Sequence, residues 1–98
     1  MISILIVNWN TCDLLRACLA SCREHAPDAE VILVDNASTD GSAGMVQAEF
    51  PEVRLLAETT NHGYAKGNNL AIAVASGDTL LTLNPDTELQ PDTLDVTL

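Results

Sequence analysis

Four short aliphatic runs, Ile2–Val7, Glu30–Val34, Val53–Ala57 and Thr79–Leu83, recur along the chain, and each gives way to polar or turn-forming residues. Continuous apolar runs with β-branched members suit strands covered on both faces, not the one-face alternation of a solvent-facing antiparallel sheet. Between the first two runs Leu14, Leu15, Cys18, Leu19 and Cys22 recur at helical spacing until Pro27, with Asn10 or Thr11 available to cap the helix. A second helix is predicted from about Ser42 to Phe50, before Pro51, and a third from Tyr64 to Ala75, closed by Gly77 as a C-terminal glycine. Pro91 and Asp92 suit the first turn of a further helix. Strands alternating with helices, joined by right-handed crossovers, predict an α/β fold: a doubly wound, mostly parallel four-stranded sheet with flanking helices. No linker or low-complexity segment interrupts residues 1–98, which read as one unit.

Composition narrows the partners. Fourteen acidic against four basic residues give a net charge of -10, which disfavours nucleic acid and anionic membrane surfaces. The first 26 residues are neutral overall, whereas residues 27–60 carry -6 and 61–98 carry -4. A small anionic ligand therefore needs a cation beside it. No apolar run approaches the roughly 20 residues that span a bilayer, and the N-terminus lacks the pattern of a secretory leader, so a cytoplasmic location is expected. Cys12, Cys18 and Cys22 form no Cys-x-x-Cys pair and suit reduced thiols. Cys18, Cys22 and His25 share a helix face, but buried small side chains are the commoner reason for that spacing.

In open α/β sheets ligands sit beyond the carboxyl ends of the strands, where strand order reverses. Asn8-Trp9-Asn10, Asp35-Asn36, Asn61-His62-Gly63 and Asn84-Pro85-Asp86 follow the four runs, and they converge on one edge if the first strand is central. Asp35 can accept from a pyrimidine ring N–H or a ribose hydroxyl, or instead make an Asx-type turn bond. Trp9, the single tryptophan, can pack on a base or belong to the core. Asp86 offers a hard divalent cation its preferred carboxylate oxygen, while Asn84-Pro85-Asp86-Thr87 also reads as a plain turn. Gly63-Tyr-Ala-Lys-Gly67 opens a helix, either to bind phosphate or to let the helix approach the sheet. No Gly-x-Gly-x-x-Gly or P-loop pattern appears, and neither histidine sits in a nucleophile setting.

Together the segments Ile4-Leu-Ile-Val-Asn-Trp-Asn10, Val34-Asp-Asn-Ala-Ser-Thr-Asp-Gly41, Asn61-His-Gly-Tyr-Ala-Lys-Gly-Asn-Asn69 and Leu83-Asn-Pro-Asp-Thr87 resemble family 2 glycosyltransferases of the GT-A fold, in particular the rhamnosyltransferase-like branch. The resemblance covers nearly the whole chain and implies the N-terminal, nucleotide-sugar-binding half of that Rossmann-like fold. It implies that Val7 and Trp9 lie beside a pyrimidine, that Asp35 binds its ring N–H, and that Asn61, Gly63, Lys66 and Asn69 border the nucleotide pocket. Asn84-Pro85-Asp86 matches the family's Asp-x-Asp motif, with Asn84 in place of the first aspartate, so Asp86 alone is expected to hold Mg²⁺ or Mn²⁺.

The expected reaction is inverting transfer of a sugar from a UDP- or dTDP-sugar to an acceptor hydroxyl. The acceptor is a saccharide or lipid-linked saccharide, met by the whole protein at the inner face of the membrane. The family's catalytic base lies downstream of its metal motif, so no catalytic residue is expected in this chain, which by itself should be inactive and truncated. A missing neighbour would leave the fourth strand as an edge for self-association. A noncatalytic nucleotide-binding or assembly module of the same fold is the alternative; a receiver domain fits poorly because Asn8 and Asn10 stand where paired acids are required.

Overall fold

Ile4, Leu5 and Ile6 have no exposed surface, which requires neighbours on both edges and both faces of their strand. The computed structural model, which describes residues 1–87, supplies all four. Its elements are β1 (Ile2–Asn8), α1 (Cys12–His25), β2 (Glu30–Asn36), α2 (Ser42–Glu49), β3 (Arg54–Glu58), α3 (Tyr64–Val74) and β4 (Thr79–Leu83). The sheet order is β3-β2-β1-β4 and every pair is parallel. Leu5 pairs with Ile32 and with Thr82, so β1 is the central ruler for both directions of growth.

Strand alternation divides the apolar side chains into two layers. Ile4, Ile6, Leu33 and Leu83 pack with Leu15, Leu19, Val46 and Phe50 beneath α1 and α2. Leu5, Val7, Ile32 and Val34 pack with Ala71 beneath α3, joined at the margin by Leu56, Leu70 and Val74. Cys18 and Cys22 are buried in the first layer, the ordinary core outcome of their spacing. Outside it, Arg16 pairs with Glu49 at 3.0 Å and Arg23 with Glu52 at 2.7 Å, while the Arg23 guanidinium lies 4.5 Å over the Phe50 ring.

Three local expectations change. Neither Asn10 nor Thr11 caps α1 with its side chain; the Asp40 carboxylate accepts from the Cys12 N–H at 2.9 Å instead. Gly77 is not the C-cap of α3, which ends at Ala75. A β-carbon at position 77 would stand 2.8 Å from the Met1 carbonyl and 2.8 Å from the Ser3 nitrogen, so glycine is required there by close backbone approach. β1 and β2 also run on into Asn8 and Asn36, because both buried carboxamides find hydrogen-bond partners. The helix expected from Pro91 lies outside the described residues.

Candidate nucleotide site

The chain moves from β1 outward through β2 to β3, then returns past β1 to β4, so the strand order reverses between β1 and β4. Loops after all four strands lie at the same carboxyl rim because the strands are parallel. This edge carries the polar residues singled out from the sequence.

Asp35 is the anchor. It is 2% exposed at the end of β2, where its Oδ1 accepts from Asn8 Nδ2 at 2.9 Å and from the Ser38 hydroxyl at 2.7 Å. Its Oδ2 accepts from the Ser38 N–H at 3.1 Å, the Asx-type bond weighed above, and among the described residues has no second partner. Asn8 extends the chain of bonds, its Oδ1 accepting from the Thr11 hydroxyl at 2.6 Å. A buried carboxylate is tolerated only with such donors around it.

The first two loops are laced together. Asn10, in the left-handed region at φ 53, donates its N–H to Ser38 Oγ at 2.9 Å and accepts from the Thr39 N–H at 2.8 Å. Asp40 closes the lacing through Cys12 and Ser42, and the Ser42 hydroxyl, helped by the backbone N–H groups and opposed by burial, sets its carboxyl below the ordinary value of 3.8. Ala37 also lies at positive φ, 61, an uncommon strain for a residue with a β-carbon. An open hollow of about 390 Å³ lined by Asn10–Leu14 and Asp40 adjoins this lacing.

The third loop is tied to β2 by Asn36, whose Nδ2 donates to the Gly63 carbonyl at 3.1 Å and whose Oδ1 accepts from the His62 N–H at 3.4 Å. Asn61 is exposed and accepts from the Gly63 N–H at 2.8 Å; Gly63 itself needs φ 82 to start α3. Gly67 answers the question left open by its motif in favour of packing: a β-carbon there would meet Val7 Cγ1 at 2.8 Å. Val7 is accordingly 8% exposed, whereas Trp9, two residues on, is 55% exposed at the rim and is not core.

Lys66 is exposed in the first turn of α3. Asn69 is exposed on the side of α3 away from buried Gly67 and Ala71, so the structure does not bring it to the inner wall of the site. The Asn84 carbonyl accepts from the Thr87 N–H at 3.0 Å, forming the turn that the sequence allowed, and this turn leaves Asn84 and Asp86 exposed just past β4. Among the described residues no three His, Cys, Asp or Glu side chains gather as a self-sufficient metal cage. One exposed carboxylate fits a cation that takes its remaining oxygens from a diphosphate and water.

Asn8, Asn36, Ser38 and Asp40 received no individual role from the sequence. Their signal was visible only as polar residues clustered after apolar strands, since the partners lie 26–30 residues apart.

A parallel α/β sheet whose polar loops meet at the reversal of strand order has the frame on which open α/β proteins place a ligand site, and its Rossmann-like arrangement matches structures of the GT-A type. The family model described as Glycosyl transferase family 2 matches residues 3–98, and the chain belongs to that family. It is 30% identical over 95 residues to the succinoglycan biosynthesis protein ExoO of Rhizobium meliloti (strain 1021), covering 95% of this chain and 27% of that one. It is 33% identical over 79 residues to the N-acetylglucosaminyl-diphospho-decaprenol L-rhamnosyltransferase of Mycobacterium tuberculosis (strain CDC 1551 / Oshkosh), covering 69% of this chain and 26% of the relative. Among solved structures, mannosyltransferase PcManGT from Pyrobaculum calidifontis in complex with GDP-Man and Mn²⁺ aligns with TM-score 0.83 at 28% identity, over 95% of this chain and 30% of that one. TarS 1–349 of S. aureus in complex with UDP shares the fold at TM-score 0.85 and 24% identity, over 98% and 30%. The chain thus spans about a quarter of the length of these curated relatives.

Proposed function

We propose that residues 1–98 supply the donor-nucleotide half of a glycosyltransferase that moves a sugar from a UDP- or dTDP-sugar to an acceptor hydroxyl with inversion. The single observation that carries this reading is the common rim: a buried, hydrogen-bonded Asp35 at the end of β2 and an exposed Asp86 just past β4, on either side of central β1. Asp35 Oδ2 keeps a lone pair for the pyrimidine ring N–H, with Val7 and Trp9 beside the base. Asn61 and Gly63 border the pocket, and Lys66 offers a charge contact from the first turn of α3. Asn84 and Asp86 face the diphosphate end, with Asp86 the protein ligand to Mg²⁺ or Mn²⁺.

Held by Asp86, such a cation would stabilise the negative charge that grows on the leaving diphosphate. The acceptor oxygen forms a bond to the anomeric carbon as the bond to the diphosphate breaks. The base that takes the acceptor proton is assigned to no residue of this chain, so the chain alone should bind donor without turning it over. The mannosyltransferase complex with GDP-Man and Mn²⁺ supports a metal-assisted nucleotide-sugar site. The decaprenol named for the rhamnosyltransferase supports a lipid-linked saccharide acceptor. Among the described residues no helix is long and apolar enough to cross a membrane.

Calorimetric titration of UDP, dTDP and GDP with and without Mn²⁺ tests the reading. We expect a pyrimidine diphosphate to bind in the presence of Mn²⁺ and Asp86→Ala to lose at least tenfold in affinity, about 1.4 kcal/mol. Binding unchanged in Asp86→Ala would remove the metal assignment, and preference for GDP would remove the pyrimidine.

A further inference from the structure

We propose that Asn68 binds the ribose of the donor, its carboxamide oxygen accepting a hydrogen bond from a ribose hydroxyl. The inference rests on the nucleotide site above and adds a residue that neither the motif reading nor the loop network used. Among the described residues, Asn68 Oδ1 is the buried side-chain polar atom with no hydrogen-bond partner. Buried acceptors are nearly always paired, and one left unpaired in a folded chain calls for a reason.

Its place on α3 supplies one. Successive residues of a helix turn by about 100°, so the residues on either side of the sheet-facing Gly67 and Ala71 lean to opposite flanks. Leu70 and Val74 join the layer that contains Leu56 of β3, which marks the β3 flank. Asn68, rotated the other way from Gly67, therefore leans toward β1 and β4. Gly67 itself stands against Val7 at the end of β1, which sets the height of Asn68 close to the carboxyl rim. Side chains of a helix tilt toward its N-terminus, and the N-terminus of α3 is at that rim.

Asn68 thus overlooks the gap between β1 and β4, where the strand order reverses. In the proposed pose the base lies toward Asp35 on β2 and the diphosphate toward Asp86 after β4. The sugar ring joining them must cross the end of β1. Ribose hydroxyls are the donor groups available there, and an acceptor without a protein partner matches them.

The 98-residue chain is titrated with Mn²⁺ and UDP, 2′-deoxy-UDP or 3′-deoxy-UDP, as wild type, Asn68→Leu and Asn68→Asp. Wild type should bind one of the deoxy analogues about three- to tenfold more weakly than UDP, the usual worth of one neutral hydrogen bond. Asn68→Leu should bind that analogue and UDP alike, at the weaker level. Asn68→Asp keeps an acceptor oxygen and should keep the discrimination even where its charge weakens all ligands. Replacing an unpaired buried oxygen by methyls should also leave the melting temperature of Asn68→Leu unchanged or higher.

Asn68→Leu retaining the wild-type preference, or losing affinity equally for all three ligands, overturns the assignment. So does a wild type indifferent to both hydroxyls. Absence of any UDP binding by wild type would instead strike the nucleotide reading itself, and this inference with it.

Discussion

Single residues hold this rim by excluding atoms as much as by bonding. Gly67 and Gly44 both interrupt helices, yet an added β-carbon meets Val7 at 2.8 Å in the first case and nothing within 4 Å in the second. Because a valine side chain is stiff, Gly67→Ala should cost about 1–3 kcal/mol, whereas Gly44→Ala should stabilise by up to about 1 kcal/mol. Urea denaturation of the two variants measures the contrast; equal midpoints would contradict the packing described. The sequence revealed that Gly67 belonged to a functional-looking motif, but phosphate contact and close helix packing demand the same residue, so only coordinates separated them. Asp35 was legible as polar at a strand end for a similar reason. The local clamp from Ser38, three residues on, was within reach of the turn pattern, but the clamp from Asn8 was not, since a hydrogen bond between residues 27 positions apart leaves no local pattern. Asn68 was hidden more deeply, because an unpaired oxygen has no signature in sequence at all.

At the level of elements, the strands were legible because uninterrupted aliphatic runs have few other uses, and β4 falls at Thr79–Leu83 as expected. Element ends were less so. Caps depend on distant partners, as Asp40 at the start of α1 and Met1 and Ser3 against Gly77 illustrate. Those junctions also make stability depend on acid. The Ser76 N–H and Ser3 hydroxyl hold Glu30 below its ordinary 4.5, the Ser42 hydroxyl holds Asp40 below 3.8, and Arg23 holds Glu52 below 4.5. Carboxyls depressed in the folded state contribute stability that is complete above the unfolded values and disappears as pH falls through the folded ones. The melting temperature should therefore be insensitive to these groups above about pH 5 and fall below about pH 4.5, by an amount limited by their exposure. Glu30→Gln should shallow that acid limb; a scan in which it changes nothing below pH 4.5 would show that the junction between β1, β2 and the end of α3 does not bear on stability.

For the whole molecule, the decisive fact is that β1 is central and the sheet grows from it in both directions, which sequence order alone could not fix. The four loops converge only because of that order. Among the described residues the outer side of β4 has no strand beside it, and Leu80 on this strand is 44% exposed. We expect the 98-residue chain by itself to self-associate through this edge. Sedimentation from low to high concentration should show a rising mass that a lysine at Leu80 suppresses; a monomer throughout would exclude the edge as a contact. The central claim, one nucleoside-diphosphate site sharing a cation with Asp86, is tested most directly by paramagnetic broadening of amide signals when Mn²⁺ is added with and without UDP. The account predicts UDP-dependent broadening of Asn84–Thr87 and the loops around Asn8–Asn10 and Ala37–Asp40, sparing Ser3, Glu30 and Gly77 at the opposite rim; broadening that is independent of UDP, or strongest at that opposite rim, would contradict it.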